Sequence, residues 1–347
     1  MNVLGIESSC DETAAAVVRE DGVVLSDVVA SQFAVHAPFG GVVPELASRA
    51  HLTNVVPVIE QAVAALPGGF ADVDAVAVTH GPGLVGALLV GVQAAKAIAW
   101  SRGLPLVGVN HLVGHLLAVY LRRSPEQPPV ALAFPYVALL ASGGHTALYR
   151  VDSSDDIEQL GETRDDAAGE AYDKVGKLLG LGYPGGPLVD RLAALGDPKS
   201  VPLPLPMRNK HGLEFSFSGL KTAVAQRVAK HGIPQGEREQ ADLCASFQHA
   251  VVTSLVSKSI AACQREGVAR LVLGGGVAAN RGLRELASQR CKEHGIELFV
   301  PPLASCTDNA AMIAYAGAQR LLRGERDGLE LSVFSTSPKL VSSLHRA

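Results

Sequence analysis

Two histidines four residues apart, His111 and His115, are the clearest sign of chemistry in this chain. On a helix, residues at this spacing project from one face, so both imidazoles could bind one metal ion. Zinc peptidases with the same spacing have a glutamate directly after the first histidine as general base, whereas this chain has Leu112. The pair therefore indicates either a metal site with different chemistry or two ordinary helix histidines.

Further polar groups stand where helices are expected to begin. Asp308 precedes an apolar helix, so it is a candidate third metal ligand or a simple cap. Asn280 follows a triple glycine before another helix, a position that suits a nucleotide contact or a cap. Asp166, Glu170 and Asp173 fall on one helical face, which is typical of a solvated surface but could also orient hydroxyls or magnesium.

The elements that must position these groups show a repeated pattern. Strands separated by polar turns are predicted at 2–8, 14–19 and 23–30, and again at 136–141, 147–151 and 157–161. The repeat indicates an α/β protein with two similar lobes, although two unrelated hairpins would give the same local pattern. The first polar turn of each repeat, 9–13 and 142–146, could hold phosphate groups with backbone N–H groups.

Two other segments affect the fold prediction. Residues 81–86 form a GxGxxG pattern between a strand and a helix, but the acidic residue expected about 20 positions later in a dinucleotide fold is absent. We interpret these glycines as allowing close approach of a helix N-terminus to another backbone or a ligand. The helical pattern of 45–66 contains Pro57, which predicts a kink or a split.

Composition limits the possible protein classes. The 347 residues are 48% hydrophobic and 18% charged, with a net charge of −4, so a packed globular protein is expected without the basic excess of a dedicated nucleic-acid binder. Five cysteines without a CxxC pair indicate a reducing compartment. The N-terminus lacks a basic leader, and the apolar stretch 84–99 is interrupted and too short to span a bilayer, so we predict a cytoplasmic protein with no membrane association.

Taken together and in order, the motifs resemble the bacterial TsaD family, formerly called Gcp or YgjD. The matching segments are 5–13, the histidine pair, 142–146, 166–174, 217–222, 274–280 and 306–309. The resemblance implies a two-lobed α/β fold of the actin, sugar-kinase and heat-shock-ATPase (ASKHA) type, with duplicated RNase H-like lobes and a ligand cleft between them. We expect the first lobe to contain 1–128 and about 320–347, and the second to contain 129–319.

The resemblance also implies an acyltransferase that modifies tRNA. It would move the threonylcarbamoyl group from threonylcarbamoyl-AMP to N6 of the adenosine 3′ of the anticodon, in tRNAs reading codons that begin with A, and release AMP. No protein nucleophile is expected, because the mixed anhydride is already activated. The alternatives are a metal-dependent endopeptidase, an ATP-dependent small-molecule kinase of the same fold, and a non-catalytic scaffold.

Site residues and partners follow from the same resemblance. The family's metal ligands correspond to His111, His115 and Asp308, with iron or zinc as the ion. Its substrate contacts correspond to Leu140, Ala141, Ser142, Gly143, Gly144, Asp173, Gly186, Asp190 and Asn280. Archaeal relatives have a metal-binding tyrosine where this chain has Leu140, so the bacterial ligand set is expected. The implied partners are tRNA, TsaB on the first lobe, the ATPase TsaE, and a TsaC-type enzyme that supplies the intermediate.

Overall fold

The structure is a computed structural model that describes residues 1–205, 207 and 212–336. The predicted end of the first lobe, from 337 onwards, lies outside the described residues. The strands are β1 (Asn2–Glu7), β2 (Glu12–Arg19), β3 (Val24–Ser31), β4 (Ala75–Gly81), β5 (Leu106–Asn110), β6 (Tyr136–Ala141), β7 (Thr146–Val151), β8 (Ile157–Glu162), β9 (Arg270–Gly274) and β10 (Glu297–Phe299).

The helices follow the apolar periodicity of the sequence. They are α1 (Phe33–His36), α2 (Pro44–Ala64), α3 (Val85–Arg102), α4 (His111–Leu117), α5 (Ala168–Leu178), α6 (Gly185–Ala193), α7 (Ser218–His231), α8 (Glu237–Glu266), α9 (Arg281–Glu293) and α10 (Ala310–Leu322). None of the described helices is both long enough and apolar enough to cross a membrane.

The described residues form two compact units, one of 1–131 with 301–336 and one of 132–300. The first contains a sheet of order β3-β2-β1-β4-β5, and the second a sheet of order β10-β9-β6-β7-β8. In each unit an antiparallel three-stranded meander is extended by two parallel strands. The predicted repeat is therefore confirmed, because the two sheets share pairing directions as well as strand order.

Both faces of the first sheet are covered, which explains why β1 is apolar along most of its length. Val3 packs on the face that α10 covers, while Leu4 and Ile6 pack on the opposite face with apolar residues of α2 and α3. Alternate side chains of the strand point to opposite faces, so each layer receives its own set of core residues.

The return of the chain to the first unit comes earlier than predicted. We expected it near residue 320, but the segment from 301 already belongs to this unit. The reason is close packing of α10 on the sheet: a Cβ at Gly5 would lie 2.3 Å from the Ala310 carbonyl oxygen, and one at Gly317 would lie 2.4 Å from Ala77 Cβ. Because α10 is a covering layer of the first sheet, the loop before it must lie there too.

The predicted split of the helix at Pro57 is wrong, since α2 runs continuously from Pro44 to Ala64. Pro57 is exposed, whereas Val58 and Ile59 are buried beside it. On the solvent side, the carbonyl that loses its helical hydrogen bond can be hydrated, so the helix tolerates the proline.

Candidate functional site

Helix α4 places the two histidines side by side in the interior of the first unit. It begins at His111 because the Asn110 side chain caps it, accepting a hydrogen bond of 2.9 Å from Leu112 N. A Cβ at Gly114 would lie 2.9 Å from Ile313 Cδ1, so the glycine lets α4 approach α10 closely. The imidazoles of His111 and His115 are buried and meet edge to face, with ring centroids 4.7 Å apart.

Asp308 joins the histidines from the loop that precedes α10. Its Oδ1 lies 3.0 Å from His115 Nε2 and 3.6 Å from His111 Nε2. The next residue, Asn309, caps α10 by accepting a hydrogen bond from Met312 N. One ligand atom from each of His111, His115 and Asp308 lies within 4.8 Å of the others, so the structure brings the three predicted metal ligands together.

The charges around Asp308 favour a cation at this position. Burial of His111 opposes its charged form, but the carboxylates of Glu7 and Asp308 outweigh burial and raise its pKa to about 9. Burial together with the charges of Asp308 and Asp11 raises the pKa of Glu12 to about 10. Repulsion among these carboxylates contributes to the raised pKa of Glu12, and a bound cation would relieve that repulsion.

The donor set fits a divalent transition metal. Two imidazoles and one carboxylate are the ligands of many non-haem iron sites, and three protein ligands with open positions are typical of catalytic zinc. Within the described residues, His115 Nδ1 is buried without a hydrogen-bond partner. The position that carries the base in zinc peptidases, Leu112, is buried and apolar, so it offers no proton acceptor.

The glycine pattern at 81–86 connects the first polar turn to α3. A Cβ at Gly83 would lie 2.6 Å from the Ser9 carbonyl oxygen, and Leu84 N donates a 2.8 Å hydrogen bond to that same oxygen. The close-approach interpretation of these glycines is therefore confirmed.

The second unit presents its own polar turn after β6. Ser142 N donates to the His145 carbonyl at 2.8 Å, and Ser142 Oγ accepts from His145 N at 3.1 Å, which closes the turn. Gly143 and Gly144 are exposed, and a Cβ at either would meet nothing within 4 Å. The side chains of Leu140 and Ala141 are buried in the core, so these two residues can offer a ligand only their backbone.

The three acids predicted on one helical face separate in the structure. Asp166 lies before α5 and pairs with Lys174, which also pairs with Glu170, each at 2.8 Å. Asp173 instead accepts a 2.7 Å hydrogen bond from Gly185 N at the start of α6, where Gly186 is the second residue. This bond places Asp173 beside the first turn of α6, which contains the candidate substrate residue Gly186.

Asp190 and Asn280 are linked by a residue that sequence reasoning missed. Gln248, buried on α8, donates from Nε2 to Asp190 Oδ1 at 2.9 Å and accepts from Asn280 Nδ2 at 2.7 Å. Asn280 also caps α9, accepting a hydrogen bond from Leu283 N at 2.9 Å. In the sequence, Gln248 stands directly after the apolar Phe247 and carries no signal of a functional role.

Comparison with known proteins identifies relatives along most of the chain. The model of the TsaD family, described as tRNA N6-adenosine threonylcarbamoyltransferase, matches residues 23–315. A protein of that name from Sorangium cellulosum is 62% identical, covering 96% of this chain and 95% of its own length. Another from Anaeromyxobacter dehalogenans is 57% identical, covering 95% of this chain and 97% of its own.

Solved structures with low sequence identity agree on the fold. HypF from T. kodakarensis superposes with a TM-score of 0.60 at 12% identity, covering 93% of this chain and 48% of that one. Component A of the Acidaminococcus fermentans (R)-2-hydroxyglutaryl-CoA dehydratase superposes with a TM-score of 0.53 at 15% identity. The match covers 92% of this chain and 99% of that one. At this level of identity, the similarities are evidence for the fold alone. Together with the two sheets of matching topology, they confirm the predicted ASKHA-type α/β fold.

The extent of the family match and the identity to full-length relatives support one conclusion. The chain belongs to the TsaD family of tRNA N6-adenosine threonylcarbamoyltransferases and is a transferase.

Proposed function

We propose that this chain transfers the threonylcarbamoyl group of threonylcarbamoyl-AMP to N6 of the adenosine 3′ of the anticodon, in tRNAs that read codons beginning with A. The observation that carries the proposal is the cluster of two buried histidines, His111 and His115, with the half-buried Asp308 in a chain of this family. Asp308 comes from a part of the sequence 193 residues away from His115, so the cluster is a product of the fold.

The reaction balances without a covalent enzyme intermediate. The N6 amine attacks the carbonyl carbon of the threonylcarbamoyl group, and a C–N bond forms. The bond between that carbon and the phosphate oxygen breaks, AMP leaves with the electron pair, and the amine loses one proton. The mixed anhydride already has a good leaving group, so the protein must mainly bind, orient and stabilise charge.

His111, His115 and Asp308 would hold one divalent ion, iron or zinc, through their imidazole nitrogens and carboxylate. Such an ion, when bound, supplies Lewis-acid polarisation of a carbonyl oxygen. The buried histidines and the nearby helix α10 fix the direction of the donors, so little rearrangement is needed to receive the ion.

The second unit would bind the adenylate part of the substrate. Leu140 and Ala141 end β6 and lead into the turn of Ser142, Gly143 and Gly144. This turn would offer backbone N–H groups to a phosphate, and its two glycines leave open space above it. The other predicted contacts, on the nucleoside, are Asp173, Gly186, Asp190 and Asn280. The hydrogen bonds of Gln248 to Asp190 and Asn280 support this role, because they hold two of these side chains in place before a ligand arrives.

Partner proteins would supply a surface that favours binding of tRNA. A net charge of −4 is unfavourable for binding a polyanion, so we propose that tRNA docks on a complex with TsaB and TsaE, and that a TsaC-type enzyme supplies threonylcarbamoyl-AMP in the cytoplasm. The chain alone should then bind tRNA much more weakly than the complex does.

Transfer of labelled threonine to unmodified tRNA tests the proposal. The assay contains this chain, the proposed partners, threonine, bicarbonate and ATP, and nucleosides are analysed after digestion. We expect labelled threonylcarbamoyladenosine from the unchanged chain, and at least a 100-fold loss with Asp308→Ala, because that carboxylate is one of three donors. The matched control is His294→Ala, which alters an exposed residue of the second unit and should keep full activity.

The absence of product, with all partners shown to be active alongside a homologous transferase, would overturn the proposed reaction. Equal activity of Asp308→Ala and His294→Ala would keep the reaction but remove the metal site from it.

A further inference from the structure

Behind His111 lies a carboxylate that the proposed reaction does not use. Glu7 ends β1 and is only 1% exposed. Its Oε2 lies 3.0 Å from His111 Nδ1, on the opposite side of the ring from the Nε2 atom near Asp308. Burying a carboxylate is costly unless it is paired and hydrogen-bonded, so a specific arrangement must compensate for it here.

Two neighbours fix the orientation of this carboxylate. Ser9 N donates to Glu7 Oε1 and Thr79 Oγ1 donates to Glu7 Oε2, each at 2.5 Å. Thr79 comes from β4, which pairs in parallel with β1, so the acid is held by the adjacent strand and by the turn that follows β1. The carboxylate of Glu7 therefore faces His111, and its two hydrogen bonds restrict its rotation.

The two histidines differ in this respect. His111 Nδ1 has the Glu7 carboxylate behind it, whereas His115 Nδ1 is buried and has no partner among the described residues. Ser9 Oγ also lies 3.2 Å from His111 Nδ1, but a hydroxyl carries no charge and can either donate or accept.

We propose that Glu7 is a positioning residue that keeps the proton of His111 on Nδ1 and so presents the Nε2 lone pair to a metal ion. The inference rests on the proposed metal site and deepens it. The ring nitrogen that binds a metal is set by the hydrogen bond that the other nitrogen makes, and the loss of such a partner typically weakens metal binding about 10- to 100-fold. Glu7 acts through His111 and does not itself contact the ion.

Metal affinity of the purified full chain provides the first test. Zinc binding is measured by competition with a chelator for the unchanged chain, Glu7→Gln and Ser9→Ala. We expect Glu7→Gln to weaken zinc binding about 10- to 100-fold. Ser9→Ala is the matched control: it removes the other group near the same nitrogen but keeps the backbone N–H that holds Glu7, so affinity should stay within about threefold.

A spectroscopic measurement needs no variant and covers the case in which Glu7→Gln fails to fold. Nitrogen-15 spectra of the zinc-loaded, unchanged chain, with His111 assigned by the signal lost in His111→Ala, show which ring nitrogen carries the proton. We expect the proton on Nδ1.

The outcomes separate the two proposals. If the unchanged chain does not bind zinc or ferrous iron, the metal site fails and the inference fails with it. If the chain binds zinc but Glu7→Gln binds equally well, or if His111 carries its proton on Nε2, the metal site stands and the role of Glu7 is overturned. A selective loss in Glu7→Gln, with the proton on Nδ1, supports both.

Discussion

Asp308 and Asn309 are neighbours in the sequence, yet the structure gives them different tasks. Either residue type is common at the start of a helix, so the sequence left Asp308 as a cap or a ligand. Asn309 takes the cap of α10, and the Asp308 carboxylate is left beside His115. Of these two polar residues at the start of the helix, Asn309 is structural and Asp308 is a candidate functional residue.

The residues that the sequence did not reveal are those whose partners lie far away along the chain. The histidine pair and the 142–146 turn carry local signals, namely helical spacing and consecutive glycines. Glu7 looks like the last residue of a strand until Thr79 and His111 are placed around it. Gln248 is likewise an ordinary helix residue until α8 meets Asp190 and Asn280.

The turn between β2 and β3 contains a charge whose effect on stability depends on pH. Arg19 donates two hydrogen bonds to Asp21, and Arg122 also contacts it; these interactions lower the pKa of Asp21 from 3.8 to about 2. A carboxyl group with a lowered pKa in the folded state stabilises the protein above its ordinary pKa and loses that contribution as the pH falls. The loss should therefore occur between about pH 4 and pH 2.

Denaturant unfolding of the unchanged chain and Asp21→Asn checks this prediction. The variant should be slightly less stable at pH 6, by less than about 1 kcal/mol because the Asp21 side chain is 42% exposed and solvent screens its charge. The difference should shrink towards pH 2. A difference that stays constant over this range would show that the charge of Asp21 is not its cause.

At the scale of elements, strand positions were predictable and the assignment of α10 was not. The strands of both meanders begin and end within about two residues of their predicted bounds, because alternating burial and polar turns are local signals. Which sheet α10 covers depends instead on packing between distant segments, through small residues such as Gly5 and Gly317. The sequence of an apolar helix does not show which sheet the helix will cover.

The contact between β1 and α10 predicts a stability change. A Cβ at Gly5 would lie 2.3 Å from the Ala310 carbonyl oxygen, which is backbone and cannot rotate away. We expect Gly5→Ala to lower the free energy of unfolding by about 1 to 3 kcal/mol through overpacking. In contrast, a Cβ at Gly219 in the first turn of α7 would meet nothing within 4 Å.

Gly219→Ala is therefore the matched control for Gly5→Ala, and it should be neutral or stabilising by up to about 1 kcal/mol. Chemical denaturation of the three proteins measures both effects. If the two variants were equally stable, the close packing of α10 on β1 would not contribute as described.

At the scale of the whole molecule, all three candidate metal ligands belong to the first unit. A ligand that binds only the folded form stabilises it by about 2.7 kcal/mol at a free concentration 100 times its Kd. Added zinc should therefore slow hydrogen exchange in β5, α4 and the segment 301–322. It should leave β6, β7 and β8 of the second unit unchanged.

Hydrogen exchange followed by mass spectrometry can resolve these segments, with Asp308→Ala as the control that should not respond to zinc. Protection that appears equally in both units, or that persists in Asp308→Ala, would contradict binding at this cluster.

The division of the first unit between the two ends of the chain also sets an order of assembly during synthesis. His115 and Asp308 are separated by 193 residues, which a ribosome adds in about 10 to 40 s at typical rates. Throughout this interval the nascent chain holds β1 to β5 and the histidine pair but lacks α10, so one face of its sheet has no cover. Capture of a metal ion by all three ligands must wait until the second unit has been made, and the apolar face of the first sheet is a natural target for chaperones until then.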